Sequence, residues 1–451
     1  MNKIHRDCWL VFLAVGIFSP ATQAQKSAAV PAELRVTIQT EVNQAYPRLF
    51  ELYQHLHTHP ELSRQEEKTG QRIAAELKNA GFDTTEKVGG HGVVGVLRNG
   101  TGPTLLIRTD LDALPVKEQT GLPYASTVRA TDEKGDSVDV MHACGHDAHM
   151  TVFVGTARLL ARMKDRWQGT LVMLGQPAEE RGNGARGMLA DGLFTRFPKP
   201  NYCLALHVSA TLPAGSIGYT EGYMLANVDS VDVTIRGVGG HGAWPHATKD
   251  PVVLAAQTVL ALQTIVSREI APGEPAVVTV GSIHGGTKHN IIPDEVRLQL
   301  TLRSYSDDVR NQTIAAIKRI TRGLALAAGI PEEHLPTVTL RDEFTPATYN
   351  SPELAGRVVK VFQAWFGEEK TTKEKPVMGG EDFGVYGRTE DQIPICMFWL
   401  GAVEPDRVKA SQQSKESLPS LHSPFFRPAP EPTIKTGITA MTAAALELIG
   451  K

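Results

Sequence analysis

Cys144 and His146 stand two residues apart, across Gly145, in the segment Met141-His142-Ala143-Cys144-Gly145-His146-Asp147. A thiolate and an imidazole at that spacing can grip one cation or a pair of them. Further along come the adjacent Glu179-Glu180, then His207 and His422. Together they supply sulfur, nitrogen and oxygen donors, with one carboxylate to spare. A spare carboxylate can take a proton from water and return it to a leaving nitrogen, so the set suits metal-assisted hydrolysis better than a structural metal site. Taken singly, several of these residues have a plain structural reading: Glu179-Glu180 as a solvated acidic turn, His207 as a satisfied core histidine, His422 as an ordinary loop residue. Asp110 and Asp112 could ligate a metal or orient a ligand histidine from behind.

Such chemistry needs a frame that gathers distant residues. Three apolar runs end at them: Thr104 to Ile107 before Arg108-Thr109-Asp110-Leu111-Asp112, Leu171 to Leu174 before Glu179-Glu180, and Tyr202 to Leu206 before His207. Short continuous apolar runs fit buried strands of an α/β sheet. Reactive groups just past them fit the rule that sites lie at the carboxyl edge of such sheets. Met150 to Met163 reads as a helix packed on that sheet.

Residues 225 to 340 follow a different pattern. Val231, Val233 and Ile235 alternate with polar residues, as in a half-buried strand. Asp250 then Pro251 look like an N-cap and first helical residue, opening a helix to about Ile270. Ala276 to Ile283 and Val296 to Leu302 read as strands, 306 to 328 as a helix and Thr337 to Leu340 as a strand. The order β-α-β-β-α-β is that of a ferredoxin-like module. Strand and helix signals then resume, with Ile393 to Leu400 a sheet strand and Pro432 to Ile449 a closing helix. The expected fold is therefore α/β and discontinuous: one domain over 30–224 and 341–451, interrupted by an α+β insert over 225–340. Within the insert, the glycine-rich Gly237 to His246 contains no phosphate-binding motif, and His241 reads as a polar donor on a flexible turn. Asn290 is a candidate hydrogen-bonder between two strands, and Arg303 could clamp a carboxylate or form a surface salt bridge.

The chain of 451 residues is long enough for two domains and carries a net charge of −3, too neutral to argue for nucleic acid or an anionic membrane. Lys3 and Arg6, the apolar Cys8 to Phe18 and the small-residue exit before Ala24 read as a signal peptide over 1–24. Its apolar run is shorter than the ~20 residues of a spanning helix, and no later stretch reads as a span. The mature protein is expected to be exported, periplasmic or secreted, with no membrane association. Cys8 leaves with the signal. Cys203 and Cys396 sit in apolar runs and are most simply core residues, with a disulfide between them left open. A free thiol on a polar turn, as at Cys144, is a liability in an oxidising compartment unless a metal holds it.

RTDLDALPV at 108–116, MHACGHDAHM at 141–150, GQPAEERGNGARGML at 175–189, GGHGAWPH at 239–246, HNIIPDEV at 289–296, MGGEDF at 378–383 and LHSPFF at 421–426 occur in that order. Together they resemble the M20 metallopeptidase and amidohydrolase family, specifically its hippurate hydrolase and auxin-conjugate (IAA-amino acid) hydrolase branch, over about 45 to 450. The resemblance implies a metal-binding catalytic domain and an insert that serves as lid and dimerisation domain. It implies two divalent metal ions per subunit, held by Cys144, His146, Glu180, His207 and His422, with Cys144 bridging. It makes Glu179 the general base, Asp112 an acid behind the ligands, and His241 a lid residue that reaches a partner's site in a homodimer or higher oligomer. Asn290 and Arg303 match positions that hold the substrate's carboxylate. The activity implied is hydrolysis of N-acyl or N-aroyl amino acids through a metal-bound hydroxide, to a carboxylic acid and a free amino acid. Zinc, manganese, cobalt and nickel all suit the donors. An exported carboxypeptidase or dipeptidase would use the same site, and a non-catalytic binding protein on this scaffold is a remoter reading. Three departures bear on the substrate rather than the chemistry: Lys288-His289 before Asn290, Gly380 where serine is often found, and the exported address.

Overall fold

The three apolar runs lie side by side. In the computed structural model, which describes residues 30–451 apart from 343, 415 and 416, Thr104–Asp110 is flanked on both sides by parallel strands, Gly169–Gln176 and Tyr202–Pro213. The signal peptide expected at 1–24 lies outside the described residues. Ile395–Val403 runs parallel to Tyr202–Pro213 on its far side. The hairpin Asp83–Val88 and Gly92–Asn99 closes one edge, and Ile217–Tyr219 with Thr371–Lys373 the other, making an eight-stranded sheet.

Successive residues of a strand point to opposite faces, so a strand covered on both faces is apolar throughout. Leu105, Ile107, Leu171 and Met173 share a core with helices Ala32–Thr58, His146–Arg162 and Pro430–Ile449. Leu106, Val172 and Leu174 face Met188, Phe383 and Tyr386 on the other side. Each such side chain contributes about 1.5–3 kcal/mol by leaving water. The same alternation settles the cysteine question. Cys203 pairs with Ile395 and Cys396 with Leu204, so the two thiols sit one residue out of step and belong to opposite cores. They cannot form a disulfide, and both are free and buried.

Between 225 and 340 a second sheet forms in the order Ala276–Gly285, Glu295–Ser304, Asp229–Arg236, Thr337–Leu340, antiparallel throughout. Helices Pro251–Thr264 and Asp307–Ala327 complete the β-α-β-β-α-β unit around its own core, which includes Val231, Leu254, Leu298 and Ile317. The Asp250 carboxylate accepts from Val252 N at 2.8 Å, the expected cap ahead of Pro251. The helix ends earlier than expected and passes into a π turn over Ile265–Glu269. The wider i to i+5 turn stacks Ile270 over Ile265, and both reach the core. Contrary to the expectation that no later stretch could span a membrane, Pro251–Glu269 is long and apolar enough by composition. Its inner face, Leu254, Ala255, Thr258 and Leu262, packs inside the protein, while Val252, Val253 and Leu260 remain exposed.

Candidate metal centre and active site

The helix expected from Met150 begins at His146, because Gly145 takes the left-handed N-cap position, φ 79°. A Cβ there would lie 2.6 Å from Val208 Cγ2, so both the backbone angle and the space demand glycine. The turn thereby packs Cys144 and His146 against the strand that carries His207. That residue does not end its strand as expected. It lies inside Tyr202–Pro213, whose pairing with Ile395–Val403 continues through residues too polar to extend the apolar run. His422 comes from a distant turn, φ 66°, pinned by its backbone N–H to the Ala143 carbonyl at 2.9 Å. Glu179 and Glu180 form a single 3₁₀ turn with Arg181, entered through a left-handed Ala178 and left through a left-handed Gly182.

These elements bring all five expected ligands together. Cys144 Sγ lies 3.4 Å from His207 Nε2 and 3.3 Å from His422 Nε2. Glu180 Oε1 lies 3.5 Å from His422 Nε2 and 3.8 Å from His146 Nε2. The donor atoms of Cys144, His146 and His207 fall within 4.8 Å of one another, and so do those of Cys144, Glu180 and His422. The atom common to the two groups is the sulfur.

The histidine tautomers follow from their partners. His146 Nδ1 donates to the Asp112 carbonyl at 2.8 Å, and Nε2 is buried with no hydrogen-bond partner. His207 Nδ1 donates to the Val208 carbonyl at 2.8 Å, freeing Nε2 toward Cys144. His149 also has a nitrogen within 4.8 Å of Asp110 and His146, but its nitrogens are already engaged. Val208 N–H donates to its Nε2 at 2.8 Å, so Nδ1 carries the proton and gives it to Asp110 at 2.7 Å, exhausting both nitrogens. Asp110 orients His149 through Oδ1 at 2.7 Å and accepts from Arg108 through Oδ2 at 2.8 Å.

The electrostatics call for a cation. Burial pushes the Cys144 thiol well above its ordinary pKa, and Glu180, Glu179 and Asp110 add to the rise. Burial likewise raises Glu179 well above the carboxylate range, reinforced by Glu381, Glu180 and Asp382. Burial opposes charge on His146, yet Asp110, Asp112 and Glu180 outweigh it and hold its pKa up at about 10. A buried crowd of negative groups with orphaned donors at His146 Nε2 and Glu180 Oε1 is what divalent cations would neutralise and satisfy, so the residues present fit such ions.

Asp112 supports from behind: its carboxylate Oδ2 accepts from Ser63 Oγ at 2.6 Å and from Glu180 N at 3.0 Å. Glu179 is buried, and its carboxyl accepts no hydrogen bond among the described residues. It lines a cleft of about 370 Å³ together with Cys144, Glu180, His207 and His422. Arg303 reaches the same cleft from the second sheet, and its guanidinium has no hydrogen-bond or ion-pair partner among the described residues. His241 and Asn290 are not among the cleft's lining residues. They sit on a separate ribbon where Gly240–His241 pairs with Ile291–Ile292, with His241 exposed beside Trp244.

Several functional neighbours escaped the sequence reading. Arg108 is fully buried and bonded to Asp110 and Glu381 at 2.8 Å, Asp382 at 3.2 Å and Gln176 at 3.0 Å. An arginine ending an apolar strand was its only signal. His149, one turn from His146, was visible as an i, i+3 pair. Glu66 and the His57–Asp147–Glu118 group offered no local signal.

A family model described as Peptidase family M20/M25/M40 matches residues 106–447. The chain is 36% identical to the hippurate hydrolase of Campylobacter jejuni, covering 75% of this chain and 84% of that one. It is 33% identical to thermostable carboxypeptidase 1 of Saccharolobus solfataricus, covering 81% and 88%. A Bacillus subtilis dinuclear metal binding peptidase of the M20 family has the same fold, with TM-score 0.71 and 28% identity over 92% of this chain and 100% of that one. The chain belongs to peptidase family M20/M25/M40 and is a metal-dependent hydrolase of amide bonds.

Proposed function

We propose that the protein cleaves the amide bond of N-acyl or N-aroyl amino acids, giving a carboxylic acid and a free amino acid. One observation carries this reading: two donor groups share Cys144 Sγ, and Glu179, whose carboxyl accepts no hydrogen bond among the described residues, lines the same cleft as Arg303. Cys144, His146, Glu180, His207 and His422 would hold two divalent cations per subunit, zinc, manganese, cobalt or nickel, which when bound would polarise a carbonyl and acidify water. Glu179 accepts the proton as water adds to the amide carbon, then delivers it to the nitrogen as the C–N bond breaks. Asp112 orients His146 through its carbonyl and the Glu180 backbone through its carboxylate. Arg303 holds the α-carboxylate as a charged fork, and Asn290, which like His241 lies outside its own chain's cleft lining, is assigned to the carboxylate of a substrate in a partner's cleft.

The second sheet with its helices, 225–340, acts as lid and dimerisation domain on a catalytic domain formed by 30–224 and 341–451. His241 lies outside its own chain's cleft lining, which supports its delivery to the oxyanion of a partner subunit. The exposed Val252, Val253 and Leu260, together with the unpaired edge of Ala276–Gly285, support an interface between copies. Lys3, Arg6 and the apolar run after them support export to the periplasm or beyond, with cleavage near Ala24. N-terminal sequencing of the mature protein tests the address, and sedimentation tests the dimer.

A peptidase reading is favoured by the likeness to a carboxypeptidase and uses the same residues. Amino-acid release from N-acetyl, N-benzoyl and long-chain N-acyl amino acids, beside dipeptides, with metal-loaded and chelated protein, decides between them. Metal-dependent cleavage of acyl amino acids over dipeptides is the expected result. Preference for dipeptides would move the protein to the peptidase reading. No cleavage at all, with metals bound, would favour a binding protein.

A further inference from the structure

Glu66 has no part in the chemistry proposed above, yet it is completely buried beneath the turn that carries it. It precedes helix Glu67–Asn79 at the N-cap position, but its side chain makes no capping bond to that helix. Its carboxylate Oε1 instead accepts the backbone N–H of Ala178 at 2.7 Å, 112 residues away in sequence. The other oxygen, Oε2, is buried without a partner.

Ala178 is the residue immediately before Glu179, and its φ of 53° and ψ of 39° are left-handed. Alanine disfavours that conformation, and such residues persist only where their surroundings over-determine them. The local geometry has a purpose. Neighbouring carboxylates repel, yet here both line the cleft and approach His146 Nε2, Glu179 Oε2 at 4.0 Å and Glu180 Oε1 at 3.8 Å, with Glu180 also 3.5 Å from His422 Nε2. The turn is anchored from outside by two carboxylates, Glu66 on Ala178 N and Asp112 on Glu180 N.

We infer that Glu66 is a positioning residue: by accepting the Ala178 N–H it holds that residue left-handed and so fixes where Glu179 and Glu180 stand against His146 and His422. The inference rests on the roles proposed above for those two glutamates. It also identifies why an alanine tolerates this position.

The test is a double-mutant cycle on the full-length mature protein with Glu66→Ala, Ala178→Gly and the pair, beside Glu66→Gln. Glycine visits the left-handed region without penalty, so it should restore what the lost acceptor enforced. Three readouts are taken for each variant: kcat and KM for the best N-acyl amino acid, the visible spectrum and affinity of added cobalt(II), and the melting temperature. Glu66→Ala is expected to lower kcat about tenfold or more while KM moves less than about threefold, and to alter the cobalt(II) spectrum. Glu66→Gln should stay within about threefold of wild type, because its amide oxygen can accept the same N–H. The pair should recover most of the lost kcat and the wild-type spectrum. A pair no better than Glu66→Ala, or a Glu66→Ala protein whose kcat and spectrum match wild type, overturns the inference. Loss that tracks the unfolded fraction alone overturns it too. If wild-type protein hydrolyses none of the substrates, the proposed function fails instead, and the cobalt(II) arm still decides the role of Glu66 at Glu180.

Discussion

Replacing Glu179 by glutamine keeps the shape of the side chain and removes its charge, and the structure assigns opposite signs to the effects on rate and on stability. As general base, the carboxylate should account for about 10²–10⁴ in kcat, or roughly 3–5 kcal/mol of activation free energy. Stability moves the other way. Glu179 is buried, accepts no hydrogen bond among the described residues, and shares a 4.8 Å neighbourhood with Glu381 and Asp382. Burial and those neighbours raise its pKa well above the ordinary carboxylate value of 4.5. For a carboxyl raised on folding, ionisation penalises the native state. The penalty is absent below pH 4.5 and grows as pH rises through the folded value. Metal-stripped Glu179→Gln should therefore match wild type near pH 4 and exceed it at pH 8. The excess is on the order of 1–3 kcal/mol, the desolvation penalty of an unsatisfied buried group. At roughly 2–4 °C per kcal/mol for domains of this size, thermal melts resolve it. The assay pairs steady-state kinetics and metal content on loaded protein with melts of stripped protein across pH. A kcat within threefold of wild type would refute the assignment of Glu179. A variant less stable than wild type at pH 8 would refute the electrostatic argument even if activity were lost.

Gly145→Ala should destabilise by about 2–4 kcal/mol, because φ 79° and the 2.6 Å approach to Val208 Cγ2 are both incompatible with a Cβ, and urea denaturation measures it. Chelation should lower the melting temperature, since His146 Nε2, Glu180 Oε1 and the Cys144 thiol lose their cations. At a free metal concentration of about 1,000 times Kd, the stabilisation lost is about 4 kcal/mol. An unchanged melt after verified metal removal would mean these donors hold no ion. His57 gives a pH signature of its own. Burial opposes its charge, but Asp147 at 2.6 Å and Glu118 at 3.1 Å hold its pKa at about 10, above the ordinary 6.5. Its contribution is whole below pH 6.5 and is lost as pH climbs to about 10. Wild-type unfolding free energy should therefore fall across that window relative to His57→Gln, and parallel pH profiles would contradict the pairing.

The legible parts of the fold were those with a local period or cap. Leu105, Leu106 and Ile107 read as a strand buried on both faces because no polar residue interrupts them, and they are such a strand. Asp250-Pro251 read as a helix start because an acceptor and a fixed φ suffice to make one, and the strand Asp229–Arg236 falls where the alternation of Val231, Val233 and Ile235 placed it. Polar residues hid continuity elsewhere. His207 looked like a strand end because Ser209 and Thr211 follow it, although pairing with Ile395–Val403 carries the strand onward. His146 looked like a turn residue because the left-handed Gly145 that starts its helix has no periodic signature.

Cys144, Gly145 and His146 determine a donor pair by spacing alone, and Glu179 beside Glu180 determines that two carboxylates share one turn. Their identities, with the run of motifs around them, were enough to indicate hydrolytic metal chemistry. Which donors meet was decided only by the tertiary structure. The sulfur of Cys144 is shared by histidines 63 and 278 residues away. His149 is disqualified by a backbone N–H from Val208. Glu66 reaches Ala178 across 112 residues. Sequence periodicity records which face of an element is buried, because burial acts on each side chain in turn. It carries no record of which other element that face will meet, and lone pairs, charge crowding and turn geometry all depend on that meeting.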